Sequence, residues 1–395
     1  MRKHITIENA ELCCGCGACL NACNLGAITM KEDKAGFIYP FVDTYSCVEC
    51  GKCVDVCAFT KKGEGANGEI AVYAAASKSK DVLKSSSSGG IFTELAKGIL
   101  KNGGVVFGAA WSDDFTLKHI CVENEQDLTK LRGSKYVQSN TGTSFSLAKK
   151  LLDEERQVCF CGTPCQVSAL KAFLKKDYKN LFTVDLVCHG VPNIKMLKDD
   201  LKNVLNDKYS KIENISFRDK SYGWGVKGSI KLDNSKVKYN AGNSPYYFYF
   251  LKGEVYRESC YNCRYPLENR QGDITLGDYW GISLDLIEKM GDVNADLGVS
   301  CVLVNTEKGE KWLDSVKDNI SLAKSSRQAV QKRNHQLTAP SVPLPEHKTL
   351  LNGYIENGYS SFKAGYKKHI KDHIIRTIKN MIPAKVKRKI NDLLS

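Results

Sequence analysis

The sequence predicts an α/β protein, α+β over the whole chain, with a small N-terminal domain and a larger mixed α/β domain. Three observations predict this class. Two cysteine-rich runs occupy the first 62 residues, apolar segments of strand and helix length alternate from Ile70 onward, and 42% hydrophobic with 26% charged residues is typical of a globular protein. A chain of 395 residues is long enough for two or three domains. The predicted segments are 1–62, 70–155, 156–345 and a basic tail at 363–395.

The N-terminal segment contains two copies of the spacing C-x2-C-x2-C-x3-C. This spacing is typical of a bacterial-type ferredoxin domain with two [4Fe-4S] clusters, in which three thiolates of each cluster come from one loop and the fourth from the other run. Zinc does not call for this three-to-one division, and disulfides would require an oxidising compartment. The predicted ligands are Cys13, Cys16, Cys19 and Cys57 for the first cluster, and Cys47, Cys50, Cys53 and Cys23 for the second. Cys14 is surplus to the pattern and is expected to be a bystander.

The chain between and after these runs predicts the remaining elements. Residues 27–30 and 36–39 flank a charged turn and indicate a β-hairpin, and 61–69 form a Gly-rich polar linker. Further on, apolar runs predict strands and periodic segments predict helices, an alternation that favours an α/β layer architecture. The predicted strands are 70–77, 105–110, 158–160, 181–187 and 299–304, and the predicted helices are 90–101, 147–155, 164–174, 194–205 and 307–316.

A second group of cysteines lies in the α/β part. Thr163 and Pro164 are a good N-cap and first helical residue, which places Cys165 in the first turn of a helix. Cys188 follows the next strand, so parallel pairing would bring both cysteines to the carboxyl edge of the sheet, where α/β sheets bind ligands. With Cys260 and Cys263 they form a third set of four, predicted to hold a third [4Fe-4S] cluster. A structural zinc site or simple packing of the thiols is the alternative. The other cysteines of this part, Cys121, Cys159, Cys161 and Cys301, lie in apolar strands and are expected in the core.

An ordered set of motifs resembles the family of deazaflavin-coenzyme (F-420) hydrogenase/dehydrogenase beta subunits, in the form with a ferredoxin domain in front. The motifs are SSGG at 87–90, RGSKYVQS at 132–139, GTPCQ at 162–166, SFRDK at 216–220 and DITLGDYWG at 273–281. The resemblance implies a non-covalent FAD beside an iron-sulfur cluster. It also implies Cys165, Cys188, Cys260 and Cys263 as the cluster ligands, in agreement with the third set.

The FAD site has to differ from a dinucleotide-binding Rossmann site, because no G-x-G-x-x-G follows a strand. Residues 85–90 open a helix, and their hydroxyls and free N–H groups would suit a pyrophosphate, although an ordinary serine-rich N-cap is the alternative. The segment from Arg132 to Tyr136 adds two cations and an aromatic ring as partners for phosphate and flavin, although by itself this is a common surface composition. The predicted cofactor-binding residues are Ser87, Ser88, Gly89, Gly90, Gly133, Ser134, Lys135 and Tyr136. His189 as a proton donor and Asp278 as a pocket residue are the catalytic candidates, and either could instead be structural.

The charge of +13 is unevenly distributed, since residues 363–395 carry ten Lys and Arg against two Asp. The body is near neutral once anionic clusters are counted, so nucleic acid is not an expected partner. Isoleucines at helical spacing in the tail predict a basic amphipathic helix for a membrane surface or an acidic partner, or a helix packed on its own domain. Without an apolar run of about 18 residues or a signal sequence, the protein is expected in the cytoplasm, peripheral at the inner face of the membrane.

Two functions are consistent with these features. The first is an enzyme that takes electrons from a redox partner such as a ferredoxin or reductase, passes them through three [4Fe-4S] clusters to FAD, and releases them as hydride to a small organic acceptor such as a deazaflavin coenzyme. The second is an electron-transfer subunit that serves a partner enzyme, for example one of cell-surface polysaccharide synthesis.

Overall fold

The structure is a computed structural model that describes residues 4–6, 10–59, 68–206, 212–233, 235–265, 269–369 and 386. It confirms the predicted class, since a large mixed sheet with helices follows a small cysteine-rich segment. The part of the predicted 61–69 linker before Gly68 and the predicted tail helix beyond 369 lie outside the described residues. No helix in the described ranges is long and apolar enough to cross a membrane.

The N-terminal segment consists of two short helices and the predicted hairpin. Each helix begins directly after a glycine in the left-handed conformation, Gly17 (φ 75°) and Gly51 (φ 76°), which a residue with a side chain rarely adopts. The hairpin strands pair antiparallel with Ile28 opposite Val42. The elements are α1 (Ala18–Ala22), β1 (Ile28–Glu32), β2 (Ile38–Val42) and α2 (Lys52–Asp55).

This segment packs into the larger domain. Ala18, Ala22, Val56 and Ala58 belong to the same buried cluster as residues of the central sheet such as Phe160. On the other side, Ala35 and Phe37 join a second cluster of the larger domain. The ferredoxin segment therefore shares two hydrophobic clusters with the larger domain, in addition to a small cluster of its own around Cys19, Ile28 and Cys53.

The first half of the larger domain follows the predicted alternation. Its elements are β3 (Ala71–Ser77), α3 (Lys80–Ser85), α4 (Ile91–Lys101), β4 (Val105–Trp111), β5 (Leu117–Val122), α5 (Glu125–Leu128), α6 (Ser144–Asp153), β6 (Val158–Gly162), α7 (Pro164–Leu174), β7 (Leu181–Leu186) and α8 (Ile194–Leu205). Strand β5 was not predicted, because its alternation is broken by His119 and Cys121. Side chains alternate across the sheet as strand geometry requires: Val105 and Phe107 pack on one face, and Val106 and Ala110 on the other.

The second half is less regular. Its elements are β8 (Ile212–Ser216), β9 (Gly228–Leu232), β10 (Ser235–Tyr239), α9 (Pro245–Lys252), α10 (Glu258–Tyr261), β11 (Ile274–Asp278), α11 (Leu284–Lys289), β12 (Ser300–Val304), α12 (Glu307–Asp314), β13 (Ile320–Lys324), α13 (Arg327–Gln331), α14 (His347–Asn357) and α15 (Tyr359–Lys368). Strands β8, β9 and β10 form a separate antiparallel sheet.

The central sheet has the strand order β13-β3-β12-β11-β7-β6-β4-β5. Strands β4, β6, β7 and β11 run parallel to one another in the middle. The parallel pairing of β6 with β7 is the one expected to bring Cys165 and Cys188 to the same edge of the sheet. Antiparallel strands flank them on both sides. The carboxyl ends of the four central strands consequently meet at one edge of the sheet, and the functional residues collect there.

Candidate cofactor and iron-sulfur site

A cavity of about 410 Å³ opens at this edge. Seven of the eight predicted cofactor-binding residues line it, and so do His189 and Asp278. The eighth, Gly89, lies behind the wall, where its N–H donates to the Ser300 hydroxyl (3.0 Å). An added Cβ at Gly89 would come within 2.7 Å of the Ser300 nitrogen, so this glycine is required by close packing.

The two segments predicted to bind phosphate are in direct contact. The serine loop at 86–89 connects α3 to α4, with Gly90 as the N-cap of α4 in the left-handed conformation (φ 80°). The Ser87 hydroxyl accepts a hydrogen bond from the Ser134 N–H (2.6 Å), which joins the loop to the 133–136 segment. Residues that are 47 positions apart therefore form one polar wall.

Lys135 is turned toward its own loop. Its ammonium donates to three backbone carbonyls, those of Leu131 (3.1 Å), Arg132 (2.8 Å) and Gly133 (3.2 Å). Burial lowers the pKa of Lys135 to about 7. In this structure the amine is thus a cavity residue whose charge depends on pH, rather than a free surface cation.

Arg218 and Asp278 form a buried ion pair in the cavity wall. Arg218 donates from both terminal nitrogens to the carboxylate (2.8 and 2.9 Å), and Trp224 donates its indole N–H to the same carboxylate (2.7 Å). Burial alone would raise the pKa of Asp278, but the Arg218 charge and these hydrogen bonds hold it below its ordinary value. Asp278 is therefore an ionised structural carboxylate, and it is poorly suited to donate a proton.

His189 faces the open cavity. Desolvation by the surrounding walls lowers the pKa of its imidazole, while the Asp278 charge raises it. A mainly neutral imidazole at this position has both a donor and an acceptor nitrogen for a bound molecule. Of the two catalytic candidates, His189 is the one whose geometry leaves it available.

His119 is a cavity residue that the sequence did not single out. Its Nε2 lies 3.1 Å from the Cys161 carbonyl, and its Nδ1 has no hydrogen-bond partner among the described residues although the side chain is buried. Burial lowers the pKa of His119 to about 4, so the ring is neutral and Nδ1 is an unpaired acceptor. Cys161, expected in the core, is partly buried and also lines the cavity.

The third cysteine set is brought together beside this cavity. Cys165 lies in the first turn of α7, as predicted, and Cys188 lies two residues beyond β7. Burial raises the pKa of Cys188, and the neighbouring thiols of Cys260, Cys165 and Cys263 raise it further. Cys165 and Cys188 also line the cavity itself, so the third set and the proposed cofactor space share a wall.

The structure also groups the ferredoxin cysteines. Burial raises the pKa of Cys19, and the nearby thiols of Cys16, Cys13 and Cys57 add to the effect, which places the first predicted set around one space. Three members of the second set are neighbours: Cys53 lies near Cys47 and packs with Cys23. The fourth, Cys50, is exposed in the same loop. Within the described ranges, no three His, Cys, Asp or Glu side chains converge as closely as a single metal ion needs.

Cys14 is not the remote bystander that its place outside the spacing suggested. Its thiol is a close neighbour of Cys16 of the first set and of Cys165 of the third, and it lines the cavity. These contacts raise the pKa of Cys14 and lower that of Cys165. The sequence carries no signal for this position, because the contact joins residues 151 positions apart in the chain.

Comparison with known proteins adds the family. Residues 72–153 match the model of the N-terminal domain, and residues 155–328 that of the C-terminal domain, of the coenzyme F420 hydrogenase/dehydrogenase beta subunit. Residues 12–61 match the 4Fe-4S dicluster domain.

Individual relatives are distant. A subunit of the F420H2 dehydrogenase of Methanosarcina mazei is 22% identical over 348 residues, which is 81% of this chain and 87% of the relative. The coenzyme F420-dependent sulfite reductase of Methanocaldococcus jannaschii is 23% identical over 338 residues, and the match covers 80% of this chain but 48% of that protein. A chain of the F420-reducing NiFe hydrogenase complex from Methanosarcina barkeri has a TM-score of 0.49 and 19% identity, over 69% of this chain and 90% of that chain.

The two family models together span more than half of the chain in the order of their domains, and the motifs at 87–90, 132–139, 162–166, 216–220 and 273–281 lie within them. The dicluster match covers both ferredoxin-type cysteine runs. The chain belongs to the family of coenzyme F420 hydrogenase/dehydrogenase beta subunits and has a 4Fe-4S dicluster domain at its N-terminal end.

Proposed function

We propose that the protein is an iron-sulfur flavoprotein oxidoreductase that transfers electrons between a redox partner and an organic hydride acceptor. The observation that carries the proposal is the shared wall between the cavity and the third cysteine set. A cofactor in the cavity would lie directly beside a cluster held by Cys165, Cys188, Cys260 and Cys263. The name of a relative, F420H2 dehydrogenase, supports a deazaflavin coenzyme as the molecule that exchanges hydride with this site.

The cavity suits FAD in three respects. The serine loop and the 133–136 segment offer hydroxyls and backbone N–H groups at the start of a helix, which suit a pyrophosphate. The Tyr136 ring stacks on Phe250 at 4.2 Å between ring centres and provides a rigid aromatic wall. The unpaired Nδ1 of His119 is an acceptor that a donor group of the ligand would satisfy. FAD when bound would supply the conversion between one-electron and two-electron transfer.

Different residues of the chain would bind the clusters and supply the proton. The three cysteine sets would each hold a [4Fe-4S] cluster, with Cys13, Cys16, Cys19 and Cys57 in the first and Cys47, Cys50, Cys53 and Cys23 in the second. A hydride consists of two electrons and one proton. The electrons arrive singly, so hydride formation requires a proton source in addition to the electron donor. His189, a mainly neutral imidazole in the cavity wall, is the side chain placed to relay that proton from solvent.

Metal and flavin analysis of anaerobically purified protein tests this proposal. We expect about twelve iron atoms, the same amount of acid-labile sulfide and one FAD per chain, because three sets of four cysteines are present. About eight iron atoms with one zinc would assign the third set to a structural zinc site. Absence of flavin after anaerobic reconstitution with FAD would overturn the flavoprotein assignment.

A variant of the third set tests the route. Cys165→Ser should slow ferredoxin-driven flavin reduction at least tenfold, while the spin-resonance signals of the ferredoxin clusters persist. The matched control is Cys121→Ser, a partly buried cysteine outside the three sets. A Cys165→Ser protein that retains FAD and reduces it at the parent rate would show that this thiol is only a packing residue.

Turnover of the isolated chain separates the two classes of function. An enzyme should reduce a deazaflavin acceptor without other proteins, at a rate that scales with its FAD content. A chain that takes up electrons and FAD yet reduces the acceptor only with a second protein present would be an electron-transfer subunit.

A further inference from the structure

The junction between the ferredoxin segment and the third cysteine set is built around one buried arginine. Arg257 is fully buried, and its side chain donates to the Cys13 carbonyl (2.7 Å), the Ile38 carbonyl (2.6 Å) and the Gln138 side chain (2.9 Å). Its guanidinium also lies over the Tyr39 ring, 4.1 Å from the ring centre. One residue of the larger domain therefore holds both the first cysteine loop and the ferredoxin hairpin.

The backbone of Arg257 belongs to the third site. It is the N-cap residue of α10, whose Cys260 N–H donates to the Arg257 carbonyl (2.8 Å). The Arg257 N–H donates to the Val191 carbonyl (3.0 Å), three residues after Cys188. The side chain thus contacts the first cysteine loop, while the main chain is fixed to the segments that carry two predicted ligands of the third set.

Other contacts hold the same loop. Gln138 donates to the Cys14 carbonyl (3.0 Å), and Thr141 donates to the Cys16 carbonyl (2.7 Å). The loop approaches so closely that a Cβ on Gly15 would lie 2.7 Å from the Gln138 amide and 3.0 Å from Arg257. The second cysteine loop is different, because Cys50 and its neighbour Val48 are exposed, the latter by 68%.

We propose that Arg257 is a positioning residue that fixes the cluster of Cys13, Cys16, Cys19 and Cys57 against the third cluster, so that these two exchange electrons directly and the second cluster is the outward-facing one. The inference rests on the proposed function. In the step, one electron leaves the reduced first cluster and enters the oxidised third cluster, and no bond or proton changes. Contact between the first and third sets through Cys14 is consistent with this order.

The charge of Arg257 has a second consequence. No carboxylate pairs with it among the residues that the structure describes, and a buried cation without a counter-charge is costly. Thiolate-ligated clusters on either side are anionic and would compensate it. A fixed positive charge between them favours the electron-rich state of both, and it should have little effect on the more distant second cluster.

Redox titration followed by spin resonance tests the inference in the full holoprotein. Arg257→Met should make reduction of the first ferredoxin cluster at least tenfold less favourable, which is 59 mV for a one-electron couple. The second ferredoxin cluster should keep its potential. The magnetic interaction between the reduced first and third clusters should also weaken. Arg257→Lys keeps the charge but not the forked hydrogen bonds, so it should weaken that interaction with a smaller change in potential.

Arg264→Gln is the matched control, because this exposed arginine also contacts the ferredoxin segment, at the Phe59 carbonyl (2.9 Å), and its replacement removes the same charge. If Arg257→Met does not fold, Gln138→Met tests the junction with Arg257 in place and should slow electron transfer from the ferredoxin clusters to the third.

Iron and FAD contents are measured first, so that a missing third cluster overturns the proposed function and not this inference. The positioning role of Arg257 would be overturned by one result with all clusters present. In that result, the Arg257 and Gln138 variants have the same cluster potentials, the same magnetic interaction between the first and third clusters and the same transfer rate as the Arg264→Gln control.

Discussion

The Arg218–Asp278 pair gives a direct test of whether Asp278 is structural. Asp278→Asn leaves a guanidinium buried without its counter-charge, since the Arg218 side chain is 3% exposed and that of Asp278 15%. Removing one partner of a buried pair costs about 3–5 kcal/mol. The Asn carbonyl can still accept the Trp224 hydrogen bond, so we expect about 3 kcal/mol, the lower end of that range.

Thermal unfolding of anaerobic holoprotein, followed by circular dichroism, measures the effect. At about 2 °C per kcal/mol for a large chain, the apparent Tm should fall by about 6 °C. Asp285→Asn is the matched control, because it breaks an ion pair of similar length (2.7 Å) whose side chains are 64% and 71% exposed, and such pairs contribute little. A fall in Tm no larger than that of the control would refute the structural reasoning.

The pH dependence gives an independent check. The folded-state pKa of Asp278 is lowered, so the stabilisation from its charge is present above the unfolded pKa of about 3.9 and is lost as the pH falls through the folded pKa. The Tm difference between parent and Asp278→Asn should therefore be constant from about pH 5 to neutral pH and shrink below about pH 4. A difference that widens on acidification would have the wrong sign.

Three further outcomes are expected. Because Lys135 has a pKa of about 7, binding of an anionic pyrophosphate would take up a proton there, so FAD affinity should fall as the pH rises above 7, and Lys135→Met should flatten this dependence in fluorescence titrations. Cys14→Ala should retain the parent iron content, whereas Cys165→Ser should lose up to four iron atoms. Gly15→Ala should expose the ferredoxin segment to limited proteolysis, whereas Gly26→Ala, at a similar φ (65° against 63°) with open space around it, should not.

The serine loop lies against the buried Arg218–Asp278 pair, because Arg218 donates to the Ser87 carbonyl (3.2 Å). A carboxylate at Ser88 would repel a pyrophosphate, but Ser88 donates its hydroxyl to the Val299 carbonyl (2.9 Å) and lies close to Asp278, so that variant would disturb the buried pair as well. Ser134→Asp lies on the same polar wall without that contact, and Ser360→Asp on the exposed surface is its control. A loss of bound flavin restricted to Ser134→Asp would support the proposed pyrophosphate site.

The sequence by itself determined the features that depend on local spacing. Cysteine runs with fixed intervals predict ferredoxin-type loops, and Thr163 and Pro164 predict the start of α7 at the observed residue, because these signals act over a few neighbouring positions. Strands β5, β11 and β13 of the central sheet and the β8–β10 sheet were missed, because short strands with mixed side chains have no such local signal.

Only the tertiary structure decided which distant residues meet. Nothing in the sequence around Cys14, Arg218 or Arg257 indicates that the first contacts Cys165, the second pairs with Asp278 and the third holds the Cys13 loop. Each contact spans at least 60 residues and is set by how the parallel strands, their loops and the ferredoxin segment pack. Long-range packing, rather than local spacing, therefore determines how the three cysteine sets are arranged around the cavity.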